Sequence, residues 1–233
     1  SVRDAAGNDS NTVTLTTFIV DTTAPSAFTV GAVASTGGTV VSNYWNSTNT
    51  GINVIVPVAN DATLTGGTIQ LRANVAGGGY ENLGAAYTIE AGDLGTNKTL
   101  SNTAGTFEAL SGGLGEGESV AFTAIITDNV SQSTTGTASG TTIAVDQTAP
   151  TISEQTAVTT PTTDNTPTFT IASNEAGAIT VSQTITSPSP ANAISGNTAI
   201  VFDTLADATY DSETVSVRDA AGNDSNTVTL TTF

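Results

Sequence analysis

The first eighteen residues of the chain return unchanged at its other end. Ser1 to Phe18 reads SVRDAAGNDSNTVTLTTF, and Ser216 to Phe233 repeats every letter 215 residues later. Identity without one substitution marks the chain as a window on a tandem array, whose units contact mainly their neighbours. A shorter echo divides the period: Val20-Asp21-Thr22-Thr23-Ala24-Pro25 recurs as Val145-Asp146-Gln147-Thr148-Ala149-Pro150, 125 residues on. One period therefore holds two unlike domains, a larger one over 26–144 and a smaller one over 151–233. Linkers 19–25 and 145–150 join them, and their prolines favour extended backbone. Residues 1–18 then read as the terminal hairpin of a preceding small domain. An isolated hairpin is marginal in water, so this one is expected to be poorly ordered or held by a neighbouring chain.

Within both domains the apolar residues alternate with polar ones. Ile52, Val54, Val56 and Val58 form one such run; Ile69, Leu71, Ala73 and Val75 a second; Val120, Phe122, Ala124 and Ile126 a third. The smaller domain adds Phe169 with Ile171, Ile179 with Val181, Ile200 with Phe202, Val215 with Val217, and Val228 with Leu230. A period of two predicts strands with one buried face. Threonine, 47 residues of 233, fills many alternate positions, where a β-branched hydroxyl suits an exposed sheet face. No segment carries a capped helical stripe. Strands broken by Gly, Asn and Asp turns, in units of this length, predict antiparallel β-sandwiches in series.

Composition narrows the chemistry. With 21 acidic residues against 4 basic ones the net charge is −17. Arg3, Arg72, Lys98 and Arg218 are too few and scattered to release counterions from nucleic acid, and an anionic membrane surface is disfavoured for the same reason. The absence of His and Cys removes Ser–His and Cys–His nucleophiles, zinc sites and disulfides. No apolar run reaches the roughly 18 residues of a membrane-spanning helix, and no secretion signal opens the sequence.

The stretch Val215-Ser216-Val217-Arg218-Asp219-Ala220-Ala221-Gly222-Asn223, followed by a strand and an Asp-x-Thr-Ala-Pro linker, resembles the end of bacterial immunoglobulin-like (Big-type) domains of giant surface adhesins. Leu205-Ala206-Asp207-Ala208-Thr209-Tyr210 resembles that family's bend before the penultimate strand, where a tyrosine packs at the sandwich corner. In the larger domain Thr127-Asp128-Asn129-Val130-Ser131 stands in place of the Asp-Ala-Ala-Gly-Asn loop, and 77–106 reads as an insertion. The resemblance implies tandem immunoglobulin-like antiparallel β-sandwiches in an extended array, secreted to the bacterial cell surface, with neighbouring repeats as partners.

Sandwich topology gathers the domain start, the second-to-third strand loop and the penultimate loop at one pole. In the smaller domain these carry Asp146, Glu175 with its neighbour Asn174, and Asp219 with Asn223. In the larger domain they carry Asp21, Asp61 with Asn60, and Asp128 with Asn129. Carboxylates gathered without Lys or Arg repel one another unless a cation sits between them, and oxygen-only donors favour calcium. The same Asp and Asn residues also suit turn capping.

Other signals are weaker. Leu110 to Glu118 is Gly-rich without phosphate-loop or calcium-roll spacing, and Glu116 with Glu118 imitates a glycosidase pair only in residue type. Asn46-Ser47-Thr48, Asn97-Lys98-Thr99 and Asn129-Val130-Ser131 match the glycosylation pattern, as an Asn- and Thr-rich chain does by chance. Tyr44, Trp45, Tyr80 and Tyr87 suit either core packing or a sugar-binding patch. The expectation is a calcium-stiffened, non-enzymatic spacer, with self-association through the N-terminal hairpin open. The competing reading is a carbohydrate- or protein-binding module using the 77–106 segment. A buried Trp45 favours the spacer and an exposed one the module.

Overall fold

Each alternating run becomes a strand with one buried face in the computed structural model, which describes residues 1–14, 20–182 and 188–233. Residues 15–18 of the predicted N-terminal hairpin and residue 19 of its linker lie outside the described residues. The larger unit contains strands β1 (Val33–Thr36), β2 (Tyr44–Trp45), β3 (Gly51–Pro57), β4 (Thr68–Val75), β5 (Tyr80–Asn82), β6 (Tyr87–Thr88), β7 (Asn97–Thr103), β8 (Ser119–Thr127), β9 (Ser133–Thr135) and β10 (Ile143–Val145). A five-residue helix α1 (Ala104–Glu108) precedes β8. The smaller unit contains β11 (Ile152–Thr156), β12 (Thr168–Ser173), β13 (Gly177–Val181), β14 (Asn192–Ala193), β15 (Gly196–Val201), β16 (Thr214–Arg218) and β17 (Val228–Thr229). The chain is all-β, with almost no helix.

Each unit has two sheets. In the larger, β1-β3-β7 forms one and β2-β10-β8-β4-β5 the other, with β6 on β4 and β9 on β8. In the smaller the orders are β11-β12-β15 and β14-β13-β16-β17. Among the named strands every pairing is antiparallel except β10 on β2, and the isolated bridge between Thr29 and Thr137 is also parallel. Register sets apolar partners opposite one another: Ile69 faces Ile126, Ala73 faces Phe122 and Val75 faces Val120, while Ile179 faces Val217 across β13 and β16. Such cross-strand pairs stabilise a sheet by up to about 1 kcal/mol each.

Buried side chains from both sheets of a unit fuse into one cluster, and the two clusters are separate. In the larger, Phe107 on α1 packs edge-on against Trp45 with ring centroids 4.8 Å apart and lies 6.0 Å from Phe122. Thr103 caps α1 by accepting from the Thr106 N–H. A helix this short shows no periodic stripe, which is why the sequence pattern misses it. The 77–106 segment supplies β5, β6 and β7, and Leu83, Ile89 and Leu100 enter the core. Its Lys98, whose ammonium lies 2.9 Å from Asp93, donates to the Tyr87 hydroxyl and holds the Asp93 carboxyl down at about 2. In the smaller unit Tyr210 donates to the Ala206 carbonyl at 3.1 Å and stacks on Phe233 at 5.2 Å.

Among the described residues no helix is long and apolar enough to cross a membrane.

Candidate functional site

The linker between the two units is fastened along its length. The Asp146 N–H donates to the Trp45 carbonyl at 2.9 Å, continuing the β2–β10 pairing past Val145. Glu116, in the Gly-rich loop before β8, accepts from the Gln147 N–H at 2.9 Å and the Thr148 hydroxyl at 3.0 Å. Glu108 on α1 accepts from both the Trp45 indole at 3.1 Å and the Gln147 amide at 2.9 Å. Beyond the linker, Asn174 accepts from the Thr151 N–H, and Asn226 exchanges two bonds with Ile152.

On this frame three carboxylates meet. Asp146 from the linker, Glu175 from the turn after β12 and Asp219 from the loop after β16 each bring one oxygen within 4.8 Å of the other two. Burial, and then the charges of Asp219 and Glu116, push the Asp146 carboxyl up to about 6, with Glu175 adding to the effect. Glu175 is pushed upward as well, by burial first and then by Asp219 and Glu116. The ion pairs formed among the described residues are Arg3–Asp9, Lys98–Asp93 and Arg218–Asp224, so none reaches this group. A cluster of carboxylates in which Asp146 and Glu175 hold their protons more tightly than usual, and in which no member forms an ion pair among the described residues, has the donor chemistry of a hard divalent cation. Glu116 brings a further carboxylate from the larger unit.

The Asp219 loop shows how the sequence builds this position. The Asp219 Oδ1 accepts from the Gly222 N–H at 2.7 Å and the Asn223 N–H at 2.9 Å, closing a five-residue turn. Gly222 sits at φ +94, where a side chain is strained. Asn223 points its amide nitrogen at the Asp219 Oδ2 at 2.9 Å and at the Asp146 carbonyl at 3.0 Å, while its Oδ1 accepts from the Ser47 hydroxyl at 3.1 Å. Asn223 therefore braces the acids through its nitrogen, and its oxygen is taken by the larger unit.

The larger unit repeats the scheme in part. Asp128 Oδ1 accepts from the Val130 and Gln132 N–H groups at 2.9 and 2.8 Å, and Gln132 Nε2 donates to the Asp21 carbonyl at 2.9 Å. The counterpart of the Asn223-to-Asp146 brace is thus present. Asp128 is 3% exposed, and both its Oδ2 and that of Asp21 are buried without a hydrogen-bond partner. Asp61 instead caps a helical turn, accepting from the Thr63 N–H and hydroxyl at 3.0 and 2.7 Å. Asn129 is exposed, and its N–H donates to the Thr63 carbonyl. These larger-unit acids form no group of three among the described residues.

Glu116, Glu108, Gln132 and the Asn46–Ser47 pair are contributors to which the sequence pattern assigns no role at the seam. Asn46 is fully buried and donates to both the Thr39 and Ala221 carbonyls at 2.7 Å. Its glycosylation pattern is therefore spent on the seam. Trp45 is also fully buried. No family model and no curated protein matches the chain.

Proposed function

We propose that this chain is a spacer segment of a secreted, repetitive bacterial surface adhesin or fibre, built of tandem immunoglobulin-like (Big-type) β-sandwiches. Its role is mechanical rather than catalytic: calcium held at the seams fixes the angle between successive units. The observation that carries the reading is the meeting of Asp146, Glu175 and Asp219 within 4.8 Å beside the linker. These three would hold the ion, with Glu116 next to them on the larger unit. Bound there, it would supply charge neutralisation and a cross-link between the units on either side. Asp21 and Asp128, each with a buried unpaired Oδ2, are proposed for the same role at the preceding seam. The burial of Trp45 removes the main support for an aromatic sugar-binding patch. A net charge of −17 would keep such a string soluble and discourage lateral clumping.

Small-angle scattering and thermal melting of the whole chain, in calcium and in chelator, test the proposal. A longer maximum dimension and a higher melting temperature in calcium are expected. Identical scattering curves and melting temperatures would overturn it.

A further inference from the structure

The smaller unit's loop and the face it docks on are matched to each other in a way the larger unit's own loop is not. Ala221 is fully buried, and its carbonyl takes the Asn46 amide at 2.7 Å. A Cβ built on Gly222 would lie 2.8 Å from Thr39 Cγ2 and 2.9 Å from Val41 Cγ2. Asn223 completes the contact through the Ser47 hydroxyl.

The corresponding loop of the larger unit, Asp128-Asn129-Val130-Ser131-Gln132, has the same backbone plan. In each loop the aspartate N–H donates to the carbonyl four residues on, and its own carbonyl accepts from the N–H three residues on. Ser131 occupies the Gly222 position at φ +72. Placed on the Thr39–Ser47 face, this second loop would bring Val where Ala221 is fully enclosed and a Cβ where Gly222 leaves no room. Overpacking of that kind forces backbone shifts.

We propose that the Thr39–Ser47 face is a unit-specific receptor: it accepts an Ala-Gly-Asn loop and rejects Val-Ser-Gln, so that a smaller unit, and not another larger one, docks on each larger unit. Asn46 provides the attractive element, and the Thr39 and Val41 methyl groups provide the steric exclusion. The mechanism needs no ion, and it is separable from calcium binding. It also assigns a partner to the exposed loop Asp4–Asn8, identical in sequence to 219–223: a Thr39–Ser47 face on a further copy of the larger unit.

Amide hydrogen exchange of the whole chain in chelator tests this. Gly222→Val is expected to speed exchange across residues 39–48 by about tenfold or more, and Gly7→Val to leave it unchanged. Both changes strain the same loop at the same positive φ, and a Cβ on Gly7 meets nothing within 4 Å. A second variant, Ala220→Asn, Ala221→Val, Gly222→Ser and Asn223→Gln together, installs a loop already known to close in this chain. It is expected to release 39–48 while the β12 and β16 amides stay protected. Retained protection of 39–48 in that variant, or equal effects of the two valine substitutions, would overturn the proposal.

Discussion

The loops at 4–8 and 219–223 share one sequence and one internal design but differ in setting. In both, the aspartate Oδ1 closes the turn on backbone N–H groups, at 2.9 Å from Ala6 and Asn8 in the first and at 2.7 and 2.9 Å from Gly222 and Asn223 in the second. Both asparagines return an amide bond to the other carboxylate oxygen, at 3.0 and 2.9 Å. Yet residues 1–14 are exposed throughout, whereas Asp219, Ala221, Gly222 and Asn223 are buried. Local conformation is therefore written in the loop itself, and the chemistry comes from what the loop is pressed against. Removed from its seam, the aspartate is a solvated turn cap. Placed against Asp146 and Glu175, it becomes one corner of an acidic cluster.

Truncating the two aspartates separates these roles most strongly. Asp219→Ala leaves buried N–H groups unpaired and is expected to cost about 2–3 kcal/mol in chemical denaturation, against about 0.5 kcal/mol or less for Asp4→Ala, whose donors turn to water. Equal costs would mean that burial at the seam adds nothing. Asn46→Ala comes next. It orphans the Ala221 carbonyl, leaves the Thr39 carbonyl with only the 3.3 Å bond from the Asn49 amide, and is expected to cost about 1–2 kcal/mol, with the loss read as faster exchange on both sides of the seam.

The acidic cluster predicts a pH dependence of defined sign. In chelator the folded chain holds the Asp146 proton up to about 6, against 3.8 when unperturbed. The folded state therefore binds that proton more tightly than the unfolded one, and its stability falls as pH rises from about 4 to about 6. Asp146→Asn removes this penalty, so its melting temperature relative to the parent chain is expected to climb across that interval and then level off. A difference that is flat with pH would show that the cluster carries no repulsion. The smallest effect belongs to the arginines. Arg218→Ala and Arg3→Ala each break an exposed pair and are expected to change stability by about 0.5 kcal/mol or less. Arg218 shows the larger change, because its pair is bidentate.

The fold was legible wherever alternation was regular. The runs around Val54, Leu71 and Phe122 state both strand and buried face, because a period of two admits one inward set. The short strands β2, β5, β6 and β14 were not legible, since two or three residues carry no period, and α1 is too brief for a stripe. Asp146, Glu175 and Asp219 could be named together because loop order in a sandwich makes sequence-distant turns neighbours. Glu116 could not, because its Gly-rich loop reaches the linker through tertiary placement alone. Asn46 shows in the sequence only a chance glycosylation pattern, since nothing local shows that its amide will meet the Ala221 carbonyl 175 residues away. Loop order in a sandwich also groups Asp61 with the acids, but the Thr63 hydroxyl two residues on offers its carboxylate a nearer partner.

The central claim is that the linker acids repel one another until a divalent ion joins them, and the effect of one isosteric substitution tests its sign. Melting curves of the parent chain and Asp146→Asn should be recorded near pH 7 in calcium and in chelator. The variant is expected to melt above the parent in chelator and below it in calcium. The same order of melting temperatures under both conditions would contradict the account.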